Sequence, residues 1–198
     1  MTSPARSETS GRYQQILDVA AEIFYEKGYA ATSIQDIATR AGLLKGSLYH
    51  YISSKEDLLL GVMGDFHDAI IEISDEIVAG TPDAGTALRR LIEAHVAYNA
   101  RHRIRGGVCY NEFRSLSHDN WQRILDIRDR YERTVRGVIV RAQKEGSVRA
   151  DADARVATFA ILGAINSLHH WYREGGPLSP EDVGRQYADT LLDGLTAR

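Results

Sequence analysis

The chain has 198 residues, 43 % of them hydrophobic and 26 % charged, which is the composition of a folded globular protein rather than a disordered or low-complexity one. The longest apolar runs, such as Phe159 to Ile165, fall far short of the roughly 20 residues a membrane span needs. The single cysteine, Cys109, excludes an internal disulfide framework, and the net charge of −3 excludes a generally basic nucleic-acid binder while leaving room for local positive potential.

Residues 1–11 are polar and small and lack the apolar segment of a secretory signal, so they are expected to form a flexible N-terminal tail of a cytoplasmic protein. From about Ser10 to Lys27, Ile16, Leu17, Ala20, Ala21 and Phe24 make one apolar stripe at helical spacing, and Gly28 stops the helix. Ser33, with Asp36 three residues on, caps a short second helix carrying Ile34, Ile37 and Ala38 and ending near Arg40. Ala41 to Leu44 form a tight turn before a third short helix over about Lys45 to Tyr51. Ser54 and Asp57 cap a long fourth helix running to about Ala79. A fifth spans about Thr86 to Arg103 and is closed by Gly106-Gly107, and a sixth covers Cys109 to Leu116. A long seventh starts near Asp119 and stops at Gly146, and an eighth covers about Asp153 to Arg173. Ser179-Pro180-Glu181-Asp182 opens a ninth with an N-cap, a proline at the first helical position and two acids in the first turn. No window alternates with period two, so the expected fold is all-α with nine helices.

Three positions carry the functional reading. Ala38 provides a small residue where two short helices cross, Gly42 a turn position tolerant of positive φ, and Leu48 an apolar residue facing back to the first helix of the pair. These are the demands of a helix-turn-helix. They leave free an outer face with Lys45, Gly46, Ser47, Tyr49 and His50, a set suited to phosphate and base-edge contacts in a major groove. Between Thr32 and Lys55, Arg40, Lys45 and Lys55 face a single acid, Asp36, so the positive charge sits where that contact is expected.

In the run Gly28-Tyr-Ala-Ala-Thr-Ser-Ile-Gln-Asp-Ile-Ala, then Ala41-Gly, Gly46-Ser-Leu-Tyr-His-Tyr-Ile and Ser54-Lys-Glu-Asp-Leu-Leu, the sequence resembles the TetR family of transcriptional repressors over roughly residues 12 to 60. The resemblance implies a three-helix DNA-binding head over 12–53 and a ligand-binding and dimerisation body over 54–198, with the helix 54–79 as connector. It implies that the third helix is the recognition helix and that Thr32, Ser33 and Lys55 grip phosphates while Tyr49 and His50 flank the backbone. A cation such as Lys55 in a first helical turn opposes the helix dipole, which a phosphate opposite it would compensate. It also implies a homodimer on a double-stranded, palindromic operator, released by a small-molecule effector, and neither an enzyme nor a cofactor-dependent protein. An activator would share all of these features.

For the body, large apolar side chains with a few convergent polar groups describe a small-molecule cavity. The expected lining is Tyr98 and Asn99 on helix five, Tyr110 and Phe113 on helix six, Trp121 on helix seven, and Phe159, Leu162, Asn166, His169 and His170 on helix eight. His95 and His102 share the face of Tyr98 and Asn99 but are too far apart to chelate one metal without a third element. The runs Asn111-Glu-Phe-Arg-Ser-Leu-Ser and Ile127-Arg-Asp-Arg-Tyr-Glu132 are similar to the branch of the family that senses fatty-acyl or related CoA thioesters. The stretches from His170 to Leu178 and from Val183 to Tyr187 resemble steroid-degradation repressors of that branch. This implies an acyl-CoA or another lipid or aromatic catabolite as effector. Sensors of bulky CoA esters present a cationic and aromatic face on helix eight, whereas the inward positions read here are Leu162, Asn166 and His170. Glu112, Arg114, Arg128 and Glu132 are expected to tie helices six and seven together as a buried ion-pair network. Trp171, Tyr172, Val183, Tyr187 and Leu191 lie at helical spacing on the last two helices and exceed what one chain can bury, which points to a four-helix dimer interface about a two-fold axis.

Overall fold

The computed structural model describes residues 4–194, and all regular structure among them is helical. The first helix, α1 (Pro4–Lys27), begins earlier than its apolar stripe, so residues 4–10 of the expected tail are helical in backbone; residues 1–3 and 195–198 lie outside the described residues. α2 (Ile34–Arg40) starts on a reciprocal capping box between Ser33 and Asp36. It ends in a Schellman arrangement: Gly42 takes φ +66° and donates to Thr39, while Leu43 donates to Ala38 at 2.8 Å. α3 (Lys45–Leu48) is shorter than its pattern suggested. It runs on as i→i+3 turns, His50 to Ser47 and Tyr51 to Leu48.

α4 (Lys55–Gly80) starts on a second capping box, Ser54 with Asp57. α5 (Ala84–Arg101) is capped by Asp83 through the Thr86 amide. α6 (Arg103–Asn111) corrects the sequence reading: Gly106 and Gly107 lie inside it and do not terminate α5. The reason is close packing. A Cβ on Gly107 would lie 2.4 Å from the Tyr25 ring, and one on Gly106 3.3 Å from Phe66, so α6 approaches α1 and α4 through the bare backbone of both residues. A 3₁₀ turn over Phe113–Ser115 leads to α7 (His118–Lys144).

The single eighth helix expected from the pattern is broken into α8 (Ala154–Asn166) and α9 (Leu168–Trp171). Polar side chains compete there for the carbonyls that would continue it, with Ser167 Oγ bonding Ala164 O and His169 Nδ1 lying 2.8 Å from Asn166 O. α10 (Pro180–Asp193) starts on a third capping box, Ser179 with Asp182, with Pro180 in the first turn. With α8 and α9 taken as one broken helix, the nine expected helices are all present among the described residues.

Two apolar cores are stacked along α4. The lower joins α1, α2 and α3 to Leu58, Leu59, Val62, Met63 and Phe66 of α4, and takes in Val108 and Cys109 of α6 and Ile124 of α7. The upper joins Ile70 and Ile71 of α4 to α5, the second half of α7, and α8 to α10. The head therefore shares its core with the body. Polar contacts reinforce the seam: Glu56 Oε1 accepts from the Ser117 amide at 2.7 Å and from Asn120 at 2.8 Å, and Arg105 pairs with Asp18 at 2.7 Å. α10 lies along α5, held by Arg89 to Asp189 at 2.6 Å and by an Arg101–Glu181 pair. Gly184 sets their separation, since a Cβ there would meet the Glu93 carbonyl oxygen at 2.8 Å. No helix among the described residues is long and apolar enough to cross a membrane.

Candidate nucleic-acid interface and inner cavity

The face of α3 is built by what lies behind it. Leu48 is wholly buried together with Ile37 and Ala38, which fixes the helix on α2 and turns its other residues outward. Lys45, Gly46 and His50 are exposed, Ser47 is half-exposed, and Tyr49 is 47 % exposed. Leu44, which the sequence reading passed over, is 79 % exposed at the leading edge of the helix. An apolar side chain so placed suits the methyl group of a thymine. Ser33 is exposed, with its hydroxyl and amide tied to Asp36 in the cap.

Two expected phosphate ligands are turned inward instead. Thr32 is 2 % exposed, and its hydroxyl donates to the Gly28 carbonyl at 2.8 Å. Lys55 directs its ammonium to the carbonyls of Tyr29 and Thr32, both at 2.8 Å, and lies 4.2 Å from the centroid of the Tyr29 ring. Those acceptors compensate the lysine's unfavourable place in the first turn of α4. Lys55 therefore anchors the segment entering α2. Arg12 likewise donates to the Ala41 carbonyl at 2.8 Å and holds the turn against α1.

In the body a cavity of about 680 Å³ lies between α4, α5, α6, α7 and α8. Five of its expected residues line it: Tyr110, Phe113, Phe159, Leu162 and Asn166. Tyr110 donates to Asn166 Oδ1 at 2.6 Å, which gives one wall a fixed polar patch. The other five stand elsewhere. Tyr98 packs on Phe66 at 5.2 Å between the two cores, and Asn99 is buried, with its amide reaching toward the Ile165 carbonyl. Trp121 packs on the outer side of Phe113 at 5.6 Å, His169 stacks on Tyr110 at 5.2 Å, and His170 is exposed.

The rest of the lining comes from α4, α5 and α7, of which the α4 wall had no counterpart in the sequence reading. Phe66, His67 and Ile70 face the cavity from α4, His95 from α5, and Leu125, Arg128 and Tyr131 from α7. A signal existed for His67, which interrupts the otherwise apolar stripe of α4. His95 Nδ1 lies 2.9 Å from Tyr131 Oη. Burial holds both rings neutral, with the pKa lowered to about 4 for His67 and about 3 for His95. Burial also raises the Tyr110 and Tyr131 hydroxyls, so they stay protonated donors. The expected ion-pair network is not formed. Glu132 pairs with Arg136 on its own helix at 3.0 Å, Glu112 accepts from Ser115 at 2.9 Å, Arg114 is exposed, and Arg128 lies 5.0 Å from the centroid of Phe113. On α8, Arg155 lies 5.7 Å from the centroid of Phe159, and both line the cavity, so a cationic and aromatic pair does stand on this helix.

The expected dimer residues divide. Tyr172 and Val183 are 6 % and 2 % exposed and belong to the protomer's own upper core, because α10 docks on α5 through that face. Trp171 is 47 % exposed and stacks on Tyr187 at 6.2 Å, with its indole N–H 3.2 Å from Tyr187 Oη. Leu191 is half-buried.

Residues 16–62 match the family model for bacterial regulatory proteins of the tetR family, and residues 82–195 match that for the Tetracyclin repressor-like C-terminal domain. The chain is 32 % identical to the HTH-type transcriptional repressor KstR2 of Rhodococcus jostii (strain RHA1) over 100 % of this chain and 98 % of that protein. The structure of the ketosteroid transcriptional regulator KstR2 of Mycobacterium tuberculosis superimposes with a TM-score of 0.88 at 31 % identity, over 94 % of this chain and 96 % of that one. AibR, in a crystal structure with isovaleryl coenzyme A and operator DNA, superimposes with a TM-score of 0.81 at 26 % identity, over 93 % and 98 % of the two chains.

Proposed function

Because the chain belongs to the TetR family of transcriptional regulators, which are not enzymes, we propose that it is a cytoplasmic repressor that binds a palindromic operator as a homodimer and is released by a small-molecule effector. The observation that carries this reading is the division of α3 into a wholly buried back at Leu48 and an outward set of Lys45, Gly46, Ser47, Tyr49 and His50. Donors and bare backbone on a short helix suit the major groove. Ser33 caps α2 at the edge of this face, and Lys55 and Thr32 hold the geometry from inside. Trp171, Tyr187 and Leu191 supply the apolar surface for the partner, joined by the exposed Val156 of α8. Two-fold symmetry then requires a palindromic site.

The cavity is the effector site in this reading. Its apolar lining with a few polar groups fits a lipid or aromatic catabolite. An acyl-CoA is supported by AibR, which was crystallised with isovaleryl coenzyme A, and by Arg155 over Phe159, a cation and an aromatic face suited to the phosphates and base of a coenzyme. One helix, α4, provides both the Phe66–His67–Ile70 wall and the N-terminal end that carries the head. An effector that changes the tilt of α4 changes the spacing of the two heads and so disfavours the DNA-bound form.

The test is a fluorescence-anisotropy titration of the full chain on DNA from upstream of its own gene, at several salt concentrations. Tight binding with a steep salt dependence that Lys45→Ala makes shallower by about two units, one for each protomer, is expected. Binding no tighter than to unrelated DNA, or a slope unchanged in Lys45→Ala, would overturn the reading.

A further inference from the structure

Of the cavity's polar side chains with hydrogen-bonding or ion-pairing capacity left unused among the described residues, Asp129 and Arg155 are exposed, and two are set deeper. His67 is 8 % exposed, and its Nδ1 lies 2.7 Å from the carbonyl of Met63, one turn back on α4. A carbonyl only accepts, so Nδ1 carries the hydrogen and Nε2 of the neutral ring is a bare lone pair. Nε2 has no partner among the described residues. Since the other edge of the ring is turned to the helix backbone and the residue lines the cavity, that lone pair faces the cavity space. An acceptor that opens on a largely apolar space without a donor from the protein is met by a ligand hydroxyl.

Arg128 is the second. It lines the same space from α7 and is half-buried, with its guanidinium against Phe113. It forms no ion pair among the described residues, because the carboxylate one turn on, Glu132, is held by Arg136. A half-buried guanidinium without a carboxylate is a receptor for one. The same lining carries hydrocarbon from Phe66, Ile70, Leu125 and Leu162, with the carboxylates of Asp129 and Glu132 on the α7 side.

We infer that the cavity recognises an amphipathic molecule with two oxygen functions separated by hydrocarbon, a hydroxyl that donates to His67 Nε2 and a carboxylate or equivalent anionic oxygen group received by Arg128. This rests on the reading of the cavity as the effector site and narrows the chemical class it takes. A hydrocarbon without oxygen leaves both groups unmet, and a cationic ligand is repelled by Arg128. The two contacts lie on α7 and α4, so such a ligand bridges the body to the helix that carries the head.

The test is calorimetric titration of the full-length protein with three probes: ω-hydroxydecanoic acid, decanoic acid and decyl alcohol. The wild type is expected to bind the hydroxy acid most tightly. Arg128→Gln is expected to weaken both acids about tenfold and leave decyl alcohol unchanged. His67→Phe is expected to weaken the hydroxy acid about fivefold, to the level of decanoic acid, and to leave decanoic acid unchanged. If phenylalanine perturbs α4, His67→Gln restores an acceptor and is expected to keep the preference for the hydroxy acid. Equal loss of all three probes in Arg128→Gln, or equal change of both acids in His67→Phe, would overturn the inference and leave the cavity as an effector site. No binding of any probe by a wild type that still binds DNA would overturn the effector site and the inference together.

Discussion

The head and the body of this chain are stabilised in different ways. In the head, the helix ends are closed by partners close in sequence, as in the Ser33–Asp36 and Ser54–Asp57 boxes and the glycine-terminated end of α2 at Gly42, while Lys55 and Arg12 tie its segments together over longer range. What the head leaves unmet lies on its outside, on α3. In the body, many contacts are long-range, and polar groups without a partner line the cavity wall at His67 and Arg128. A surface that is to meet a large polyanion leaves its donors in water, where they cost little while waiting. A cavity for a small molecule holds its polar groups against apolar walls, where each unmet group weighs on stability.

Four experiments break or sharpen that contrast. The largest effect is expected from Gly184→Val in the body, whose side chain has only the backbone of Glu93 to move. Overpacking there is expected to cost about 3 kcal/mol in urea denaturation, and a cost near zero would show that α10 is not fixed on α5. Next is acid sensitivity. His67 and His95 are held neutral down to about 4 and about 3, whereas the unfolded chain protonates them near 6.5. Between those limits the unfolded form binds more protons, so stability present above pH 6.5 is lost as pH falls. From pH 6 to pH 5 the loss is expected to be roughly 2 kcal/mol, and the His67→Gln/His95→Gln double variant is expected to flatten it. An unchanged slope would place the acid sensitivity outside the cavity.

The third compares two lysines of the head. Lys55→Met leaves the Thr32 carbonyl without its donor, and the Tyr29 carbonyl with the Thr32 amide alone, and is expected to cost about 1 to 2 kcal/mol in thermal or urea unfolding. Lys45→Ala, on the exposed face, is expected to leave stability within about 0.5 kcal/mol of wild type. Equal effects would erase the distinction between the inside and outside of the head. The smallest is Tyr49→Ala, expected to weaken operator binding about tenfold without a shift in melting temperature. A melting shift with DNA affinity intact would assign Tyr49 to packing.

How far the sequence foretold each region follows from the range of the contacts involved. Ala38, Gly42 and Leu48 specify the helix-turn-helix because a turn and a crossing need particular residues within about a dozen positions, and the outward set on α3 follows from where Leu48 points. Lys55 was misplaced because the carbonyls that hold it come from residues 23 and 26 positions earlier. The Gly106-Gly107 pair read as a helix stop because nothing nearby shows that the rings of Tyr25 and Phe66 pack against it. In the body, Tyr110, Phe113 and Asn166 were found from helical spacing. His67 was not, since whether it faces a space depends on how α4 is rotated against α7. Tyr172 and Val183 looked free for a partner until the close approach of α10 to α5 was seen to bury them.

The central claim, that the outward side of α3 reads DNA in a two-fold arrangement, is tested most directly by selection from random double-stranded DNA with the purified full chain, alongside the Lys45→Ala/Tyr49→Ala double variant. The account predicts a palindromic sequence enriched by the wild type, with half-sites about 34–36 Å or a multiple apart, and no enrichment by the double variant. No enriched sequence, or the same sequence enriched by both proteins, would contradict it.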